Sequence, residues 1–340
     1  MIRIGLLGCG RISKNHFEAI AKLPDAEIVA CCDLLEDRAR EAANLYSIPF
    51  WTTNYEDMLQ RKDIDLISIC TPSGLHPQHG IMAAIAGKQV LSEKPMGVRL
   101  KDADELIKAC DQNKVKLFVV MQNRLNPPIK LLKKAIDKGR FGQIYMITIN
   151  VFWTRPQDYY EMANWRGTWE FDGGAFMNQS SHYVDLLQWL GGPVESVIAH
   201  ADTLARDIET EDSGAAVFKF RKGAIGSINV TMLTYPKNLE GSITVIGETG
   251  TVKIGGIAVN KVLHWEFSKY DDDDKNVEGS ATNPDSVYGF GHLGYYRNVL
   301  DTLTNGAIPA TDGRAGRKSL ELIEAIYLSN RERKRVVLPL

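Results

Sequence analysis

Apolar residues in the first third of the chain fall into short runs separated by stretches of helical spacing. Ile2–Leu7 is the first run; a glycine turn follows it, and from about Arg11 to Leu23 the period becomes helical. The alternation then repeats. Runs at Glu27–Asp33, Ile64–Thr71, Gln89–Ser92 and Lys116–Met121 alternate with helical patterns at Leu35–Tyr46, His76–Ala86 and Leu100–Asn113. Short runs apolar on both faces, alternating with helices, predict a parallel sheet covered on both sides.

The pattern changes after Gln122. Pro127 and Pro128 open a helix to about Lys138, and Ile144–Trp153 reads as a long strand. A polar, aromatic, irregular stretch leads to Phe176–Leu190, which reads as one amphipathic helix. Strands follow at Val194–Asp202, Gly214–Phe220, Gly226–Met232, Ser242–Ile246 and Thr251–Ile254, with glycine turns that suggest an antiparallel meander. The acidic run Asp271–Asp274 begins a polar segment to about Ser286 and reads as a solvated loop. Two helices close the chain, near Phe290–Asn305 and Gly313–Arg331. The expected fold class is α/β. A doubly wound parallel sheet over 1–122 precedes an α+β substrate-binding and oligomerisation domain over 123–340, built on an open, mostly antiparallel sheet. In such a pairing the ligand lies at the carboxyl ends of the parallel strands, facing the second domain.

Composition narrows the class. The length, 340 residues, suits two domains, and 40 Lys plus Arg against 42 Asp plus Glu leave a net charge of -2. With no basic run, the chain lacks the footprint of a nucleic-acid binder. No segment reaches the roughly 18 apolar residues of a membrane span, and no signal peptide is evident, so a cytoplasmic location is expected. The cysteines Cys9, Cys31, Cys32, Cys70 and Cys110 are odd in number and lack metal-ligand spacing, which predicts reduced, buried thiols.

Candidate chemistry begins directly after the first strand. Gly8-Cys9-Gly10-Arg11-Ile12-Ser13 supplies two glycines for a tight turn and opens a helix whose N–H groups can receive a pyrophosphate. Ser13 replaces the third glycine of the usual fingerprint, which gives the loop a Rossmann character short of one packing glycine. Asp33 ends the second strand, where a carboxylate accepts from a ribose diol and repels a 2'-phosphate, so NAD is expected rather than NADP. Thr71, Pro72, Ser73 and His76 form the next loop over the cofactor edge, with Ser73 also placed to cap the helix that follows. His76 and His79 lie three apart, but no acid or thiol completes a metal set, and no metal is expected. Glu93-Lys94-Pro95 ends the fourth strand; an ammonium there faces the crevice where hydride transfer must occur and can stabilise an alkoxide as it forms.

These residues, followed by Gly173-Gly174, Ser180, His182, Asp185 and Leu186, resemble the Gfo/Idh/MocA oxidoreductase family over the whole chain. The resemblance implies a nicotinamide-dependent dehydrogenase of sugars or related polyols, with Lys94 and His182 catalytic, Glu93 at the cofactor, and a homodimer or homotetramer. Family members present an acid four residues before the histidine, on one helical face; here that position is Asn178, which cannot act as a base. The role of general base then passes to His182, assisted by Lys94 and oriented by Asp185. The segment around Arg155, Tyr159, Tyr160, Trp165, Arg166, Asn178 and Gln179 further resembles the UDP-N-acetyl-glucosaminuronate 3-dehydrogenases, which act in the biosynthesis of diacetamido-uronic acids of bacterial surface polysaccharide. That resemblance implies a UDP-linked amino-hexuronate substrate. Independently, two arginine forks suit a carboxylate and a pyrophosphate, which a free sugar lacks. Tyr159, Tyr160 and Trp165 line the pocket or pack the loop, and His292 with Tyr295 and Tyr296 is expected to complete it. A free-cyclitol or hexose dehydrogenase and a non-catalytic NAD-sensing regulator of the same fold remain the alternative readings.

Overall fold

The computed structural model describes residues 1–256, 258–282 and 291–340. The expected end of the polar segment at Ser286 and the expected helix start at Phe290 lie outside these residues. The chain forms two compact units that are not consecutive halves. The first comprises Met1–Met121 and His292–Leu320; the second comprises Gln122–Gly291 and Glu321–Leu340.

In the first unit, β1 (Ile2–Leu7), β2 (Ala26–Cys32), β3 (Trp51–Thr52), β4 (Leu66–Ile69), β5 (Gln89–Ser92) and β6 (Leu117–Val119) form one sheet in the order β3-β2-β1-β4-β5-β6. Every pairing is parallel. The linking helices are α1 (Ser13–Ile20), α2 (Glu36–Tyr46), α3 (Tyr55–Leu59), α4 (His76–Ile85) and α5 (Leu100–Gln112). All four residues of β4 are buried, as a strand covered on both faces requires. Strand order reverses at β1, which has β2 on one side and β4 on the other. The loops after Leu7 and Ile69 therefore open at the topological switch point, where such sheets bind ligands. The strand β3 and the helix α3, two and five residues long, are too short to show a period and escape the sequence pattern.

The second unit begins with α6 (Pro127–Asp137), β7 (Ile144–Phe152), α7 (Gln157–Glu161) and α8 (Ser181–Gly191). Then come β8 (Val194–Asp202), β9 (Ser213–Phe220), β10 (Ile225–Thr231), β11 (Glu240–Gly247), β12 (Gly250–Gly255) and β13 (Lys261–Phe267). The helix α9 (Gly291–Asn305), which from His292 on belongs to the first unit, and α10 (Gly313–Glu332), which belongs to the first unit up to Leu320 and to the second from Glu321, precede the final strand β14 (Val336–Val337) of the second unit. The sheet order is β13-β12-β11-β7-β10-β9-β8-β14. It is antiparallel except that β10 runs parallel to β7, which a simple meander does not allow. Alternation along β7 buries Ile147, Ile149 and Val151 completely and leaves Thr148 and Asn150 half-buried. The opposite face exposes Ile198, Val217 and Ile225. Edge strand β13 was not foreseen because Lys261, His264 and Glu266 interrupt its apolar positions.

One expected element is corrected. The stretch Phe176–Leu190 is not a single helix: a wide turn over Ala175–Gln179, closed by the Ser180 N–H donating to the Ala175 carbonyl at 2.9 Å, precedes α8. This five-residue spacing is the π-type bond, and Ser180 itself is non-helical at φ -108° and ψ 11°. The four-residue spacing that would put Asn178 and His182 on one helical face therefore does not operate here.

Candidate active site

In the first unit the turn after β1 is shaped by what its glycines leave out. Gly8 has φ +92°, and a Cβ there would lie 2.8 Å from the backbone carbonyl of Cys70. Nothing lies within 4 Å of where a Cβ of Gly10 would be, so the loop surface is open to a close ligand. Helix α1 follows with no side-chain cap and no acid in its first turn, so no side chain of the helix neutralises its partial positive charge. Ser13 is buried and returns its hydroxyl to the Gly10 carbonyl at 2.6 Å. Arg11 is exposed and Ile12 half-buried on the same turn. The Asp33 carboxylate accepts from the Cys9 N–H at 2.8 Å and from the Leu35 N–H at 2.9 Å. It thereby holds the phosphate loop and the end of β2 together. An uncapped helix N-terminus, an open glycine and a half-buried carboxylate at the strand end fit a dinucleotide.

The next two loops are tied by His76. Its imidazole is buried, with Nδ1 2.7 Å from the Pro95 carbonyl and Nε2 2.8 Å from the Thr71 carbonyl. Burial pushes its pKa down against the pull of both carbonyls. The imidazole thus braces the turn that carries Lys94, and Pro72 and Thr71 form the half-buried rim. Thr71 Oγ1 lies 3.0 Å from His79 Nδ1, and burial lowers His79 to about 4. Ser73 does not cap α4; it starts a short 3-10 turn, and the residue before α4 is Leu75, which makes no side-chain cap bond.

Lys94 is half-buried, and its backbone N–H donates to Glu93 Oε2 at 3.1 Å. Glu93 Oε1 lies 3.0 Å from His16 Nε2 and 3.5 Å from His292 Nε2. His16, Glu93 and His292 are all buried. They are the kinds of side chain that hold metals, and among the described residues they lie within 4.8 Å of one another. The hydrogen bond between His16 and Glu93 already joins them. Tyr295, expected at a pocket, instead donates its hydroxyl to the Val119 carbonyl at 2.5 Å inside the first unit.

In the second unit the predicted recognition residues form one network. Gln179 is its centre: Oε1 accepts from Arg155 Nε at 2.9 Å, and Nε2 donates to the Tyr159 hydroxyl at 2.9 Å and to Asn178 Oδ1 at 3.2 Å. Arg166 Nη1 donates to the same Tyr159 oxygen at 2.5 Å, and its guanidinium lies over the Tyr159 and Trp165 rings at 4.4 and 4.7 Å. Asn178 Nδ2 donates to Asp172 Oδ1, and Asp172 Oδ2 accepts the Gly167 N–H at 2.7 Å. Tyr160 is buried, edge-on to Tyr159, and packs the loop. The buried Arg166 Nε has no hydrogen-bond partner among the described residues.

The wide turn carrying Asn178 and Gln179 is held from afar, by residues with no sequence signal. Glu211 Oε1 accepts from the Phe176 N–H at 2.8 Å and the Tyr327 hydroxyl at 2.9 Å, and the Tyr327 oxygen accepts from the Met177 N–H at 3.2 Å. A Cβ on Gly174 would lie 1.7 Å from Glu211 Oε2, which explains the glycine. Burial raises the Glu211 carboxyl to about 7. His182 stands in the first turn of α8, 8 % exposed. Asp185, one turn on, is clasped by Arg124, another residue the sequence did not single out.

A parallel doubly wound sheet with an open glycine loop, a strand-end acid and a Glu-Lys-Pro turn defines the class. The chain belongs to the Gfo/Idh/MocA oxidoreductase family: residues 2–121 match its NAD-binding Rossmann fold and residues 133–338 its C-terminal alpha/beta domain. Two solved structures resemble it closely. The WlbA dehydrogenase from Bordetella pertussis, in complex with NADH and UDP-GlcNAcA, is 55% identical with a TM-score of 0.97, covering 100% of this chain and 98% of that one. The WlbA dehydrogenase from Chromobacterium violaceum, also with NADH and UDP-GlcNAcA, is 54% identical with a TM-score of 0.95, covering 100% and 96%. The myo-inositol 2-dehydrogenase of Thermotoga maritima is more distant, 26% identical over 99% of this chain and 98% of that protein. No described helix is long and apolar enough to cross a membrane.

Proposed function

We propose that the protein oxidises the C3 hydroxyl of UDP-N-acetyl-glucosaminuronate to the 3-keto sugar, in biosynthesis of diacetamido-uronic acids of surface polysaccharide. The observation that carries this is the 55% identity, over the entire chain, to a dehydrogenase solved with NADH and UDP-GlcNAcA. Bound NAD would supply the acceptor for the C3 hydride. The loop Gly8–Ile12 and the start of α1 hold its pyrophosphate, Asp33 holds its adenosine ribose, and Thr71, Pro72 and Ser73 flank it, whereas Glu93 is buried with both carboxylate oxygens engaged by the protein and stands behind Lys94. His182 takes the proton of the C3 hydroxyl, and the Lys94 ammonium stabilises the alkoxide as charge develops. Arg155 and Arg166 receive the carboxylate and pyrophosphate, because each guanidinium is a charged fork of donors that suits an anion better than a neutral polyol. Asn178, Gln179 and Tyr159 orient the sugar.

The exposed apolar positions Ile198, Val217 and Ile225 on the open sheet face support a homo-oligomer, and five free cysteines suit the cytoplasm. The functional test incubates the protein with NAD and UDP-N-acetyl-glucosaminuronate and follows the NADH absorbance. Turnover of the UDP-sugar in preference to myo-inositol is the expected result; turnover of myo-inositol alone would sink the reading.

A further inference from the structure

The carboxylate beside Lys94 is built into an ordered chain of donors. Glu93 is 4 % exposed and His16 is fully buried, so neither exchanges partners with water. A carboxylate only accepts, so His16 Nε2 must carry the proton it shares with Glu93 Oε1 at 3.0 Å. In the neutral ring Nδ1 is then an acceptor, and the Tyr296 hydroxyl, 2.7 Å away, donates to it. Ser68 Oγ closes the chain, 2.8 Å from the Tyr296 oxygen and 3.2 Å from His16 Nδ1. From the other side, His292 packs edge-on against His16 at 5.1 Å between ring centroids and turns Nε2 toward Glu93. Burial opposes the charge on Glu93, but its two histidine partners hold it well below the usual carboxylate range. The other ionisable groups that feel this carboxylate are Cys70 and His76, both buried. Four residues from β4, α1 and α9, Ser68, His16, His292 and Tyr296, thus surround one buried anion whose second oxygen binds the backbone of Lys94.

We infer that Glu93 is a positioning residue for Lys94, fixed in place by His16 and His292. Its Oε2 anchors the Lys94 N–H, so the direction in which the lysine leaves the strand end is set from inside the unit. Its negative charge also favours the ammonium form of the neighbouring side chain. This inference rests on the reading that Lys94 acts on the substrate hydroxyl, but not on the identity of the sugar.

Two measurements separate positioning from general support of the fold. The first is steady-state kinetics on Glu93→Gln, His16→Leu and His16→Gln, with the fold checked by thermal melting and NADH affinity. Loss of a hydrogen bond to a charged group predicts a fall in kcat of about 10- to 100-fold in Glu93→Gln and His16→Leu, with KM and NADH affinity nearly unchanged. His16→Gln, which keeps a donor near the place of Nε2, is expected to recover most of that loss. The second needs no substrate: competitive acetylation of Lys94, read by peptide mass spectrometry. Removing the carboxylate in Glu93→Gln is expected to speed Lys94 acetylation by about fivefold or more. A folded, NADH-binding Glu93→Gln with parental kcat and parental acetylation overturns the proposal. So does equal loss in His16→Gln and His16→Leu. If the parent leaves the UDP-sugar untouched, the substrate reading fails while the acetylation rate still decides the role of Glu93.

Discussion

Arg124 grips Asp185 with both prongs of its guanidinium, Nε 2.7 Å from Oδ2 and Nη2 2.6 Å from Oδ1. The side chains are 10% and 2% exposed, and the Arg124 guanidinium also lies 5.1 Å over the Trp189 ring. Asp185 is on α8, one turn beyond His182, so the pair fixes the helix that carries the candidate base. Removing one partner strands a buried charge. Asp185→Asn is expected to cost about 3–5 kcal/mol, read as a lower urea midpoint, and the double change with Arg124→Met to recover part of it.

His182→Asn keeps a polar side chain and removes the base. General-base catalysis is worth about 10²–10⁴-fold, so kcat is expected to fall by that much with NADH affinity unchanged. Retention of a tenth or more of parental turnover would move the proton transfer elsewhere.

The Asp33 carboxylate binds the Cys9 and Leu35 N–H groups, and the proposed function gives it the ribose of NAD as a second partner. Asp33→Ser is expected to weaken NAD binding by about 10- to 100-fold, from the loss of charged hydrogen bonds. It should also narrow the preference over NADP. Fluorescence titrations with NADH and NADPH give both quantities.

Glu211 makes stability depend on pH. Burial raises its carboxyl from 4.5 to about 7, so the folded chain holds that proton more tightly than the unfolded chain does. Its stabilising contribution is complete below the unfolded value and is lost as pH rises through about 7. The urea midpoint of the parent is therefore expected to fall between about pH 4.5 and 7 more steeply than that of Glu211→Gln, in which the side chain stays neutral.

The same residue accounts for Gly174. An added methyl must displace a carboxylate already held by Phe176 and Tyr327. Gly174→Ala is expected to disturb the Asn178–Gln179 turn and raise KM for the sugar-nucleotide more than Kd for NADH, measured side by side.

The parallel sheet was legible because its strands are apolar on both faces and its glycine loop, Asp33 and Glu93-Lys94-Pro95 fall at strand ends. The residues of the arginine network were legible as types and as a local stretch. Their wiring through Gln179 was not, because a glutamine gives no hint of which partners it will bridge. The wide turn before α8 was read as helix, since Phe176–Leu190 has helical apolar spacing. What breaks that spacing is supplied by Glu211 and Tyr327, far along the chain, through bonds that no local pattern encodes. His16 shows the opposite failure: within a helix that was foreseen, its partner Tyr296 lies 280 residues away.

That distance bears on how the protein is made. The polar centre of the first unit draws on His292 and Tyr296, so it cannot close when Met121 leaves the ribosome. At typical elongation rates the intervening chain takes roughly 10–30 s to appear. During that interval the nascent sheet carries Glu93 and His16 with half their partners unsynthesised. The second unit waits as well, because Tyr327, which pins the wide turn before α8, comes later still. The first unit lacks His292–Leu320 and the second lacks Glu321–Leu340 at that point, so a ribosome stalled after residue 291 would hold two unfinished domains for chaperones to shield.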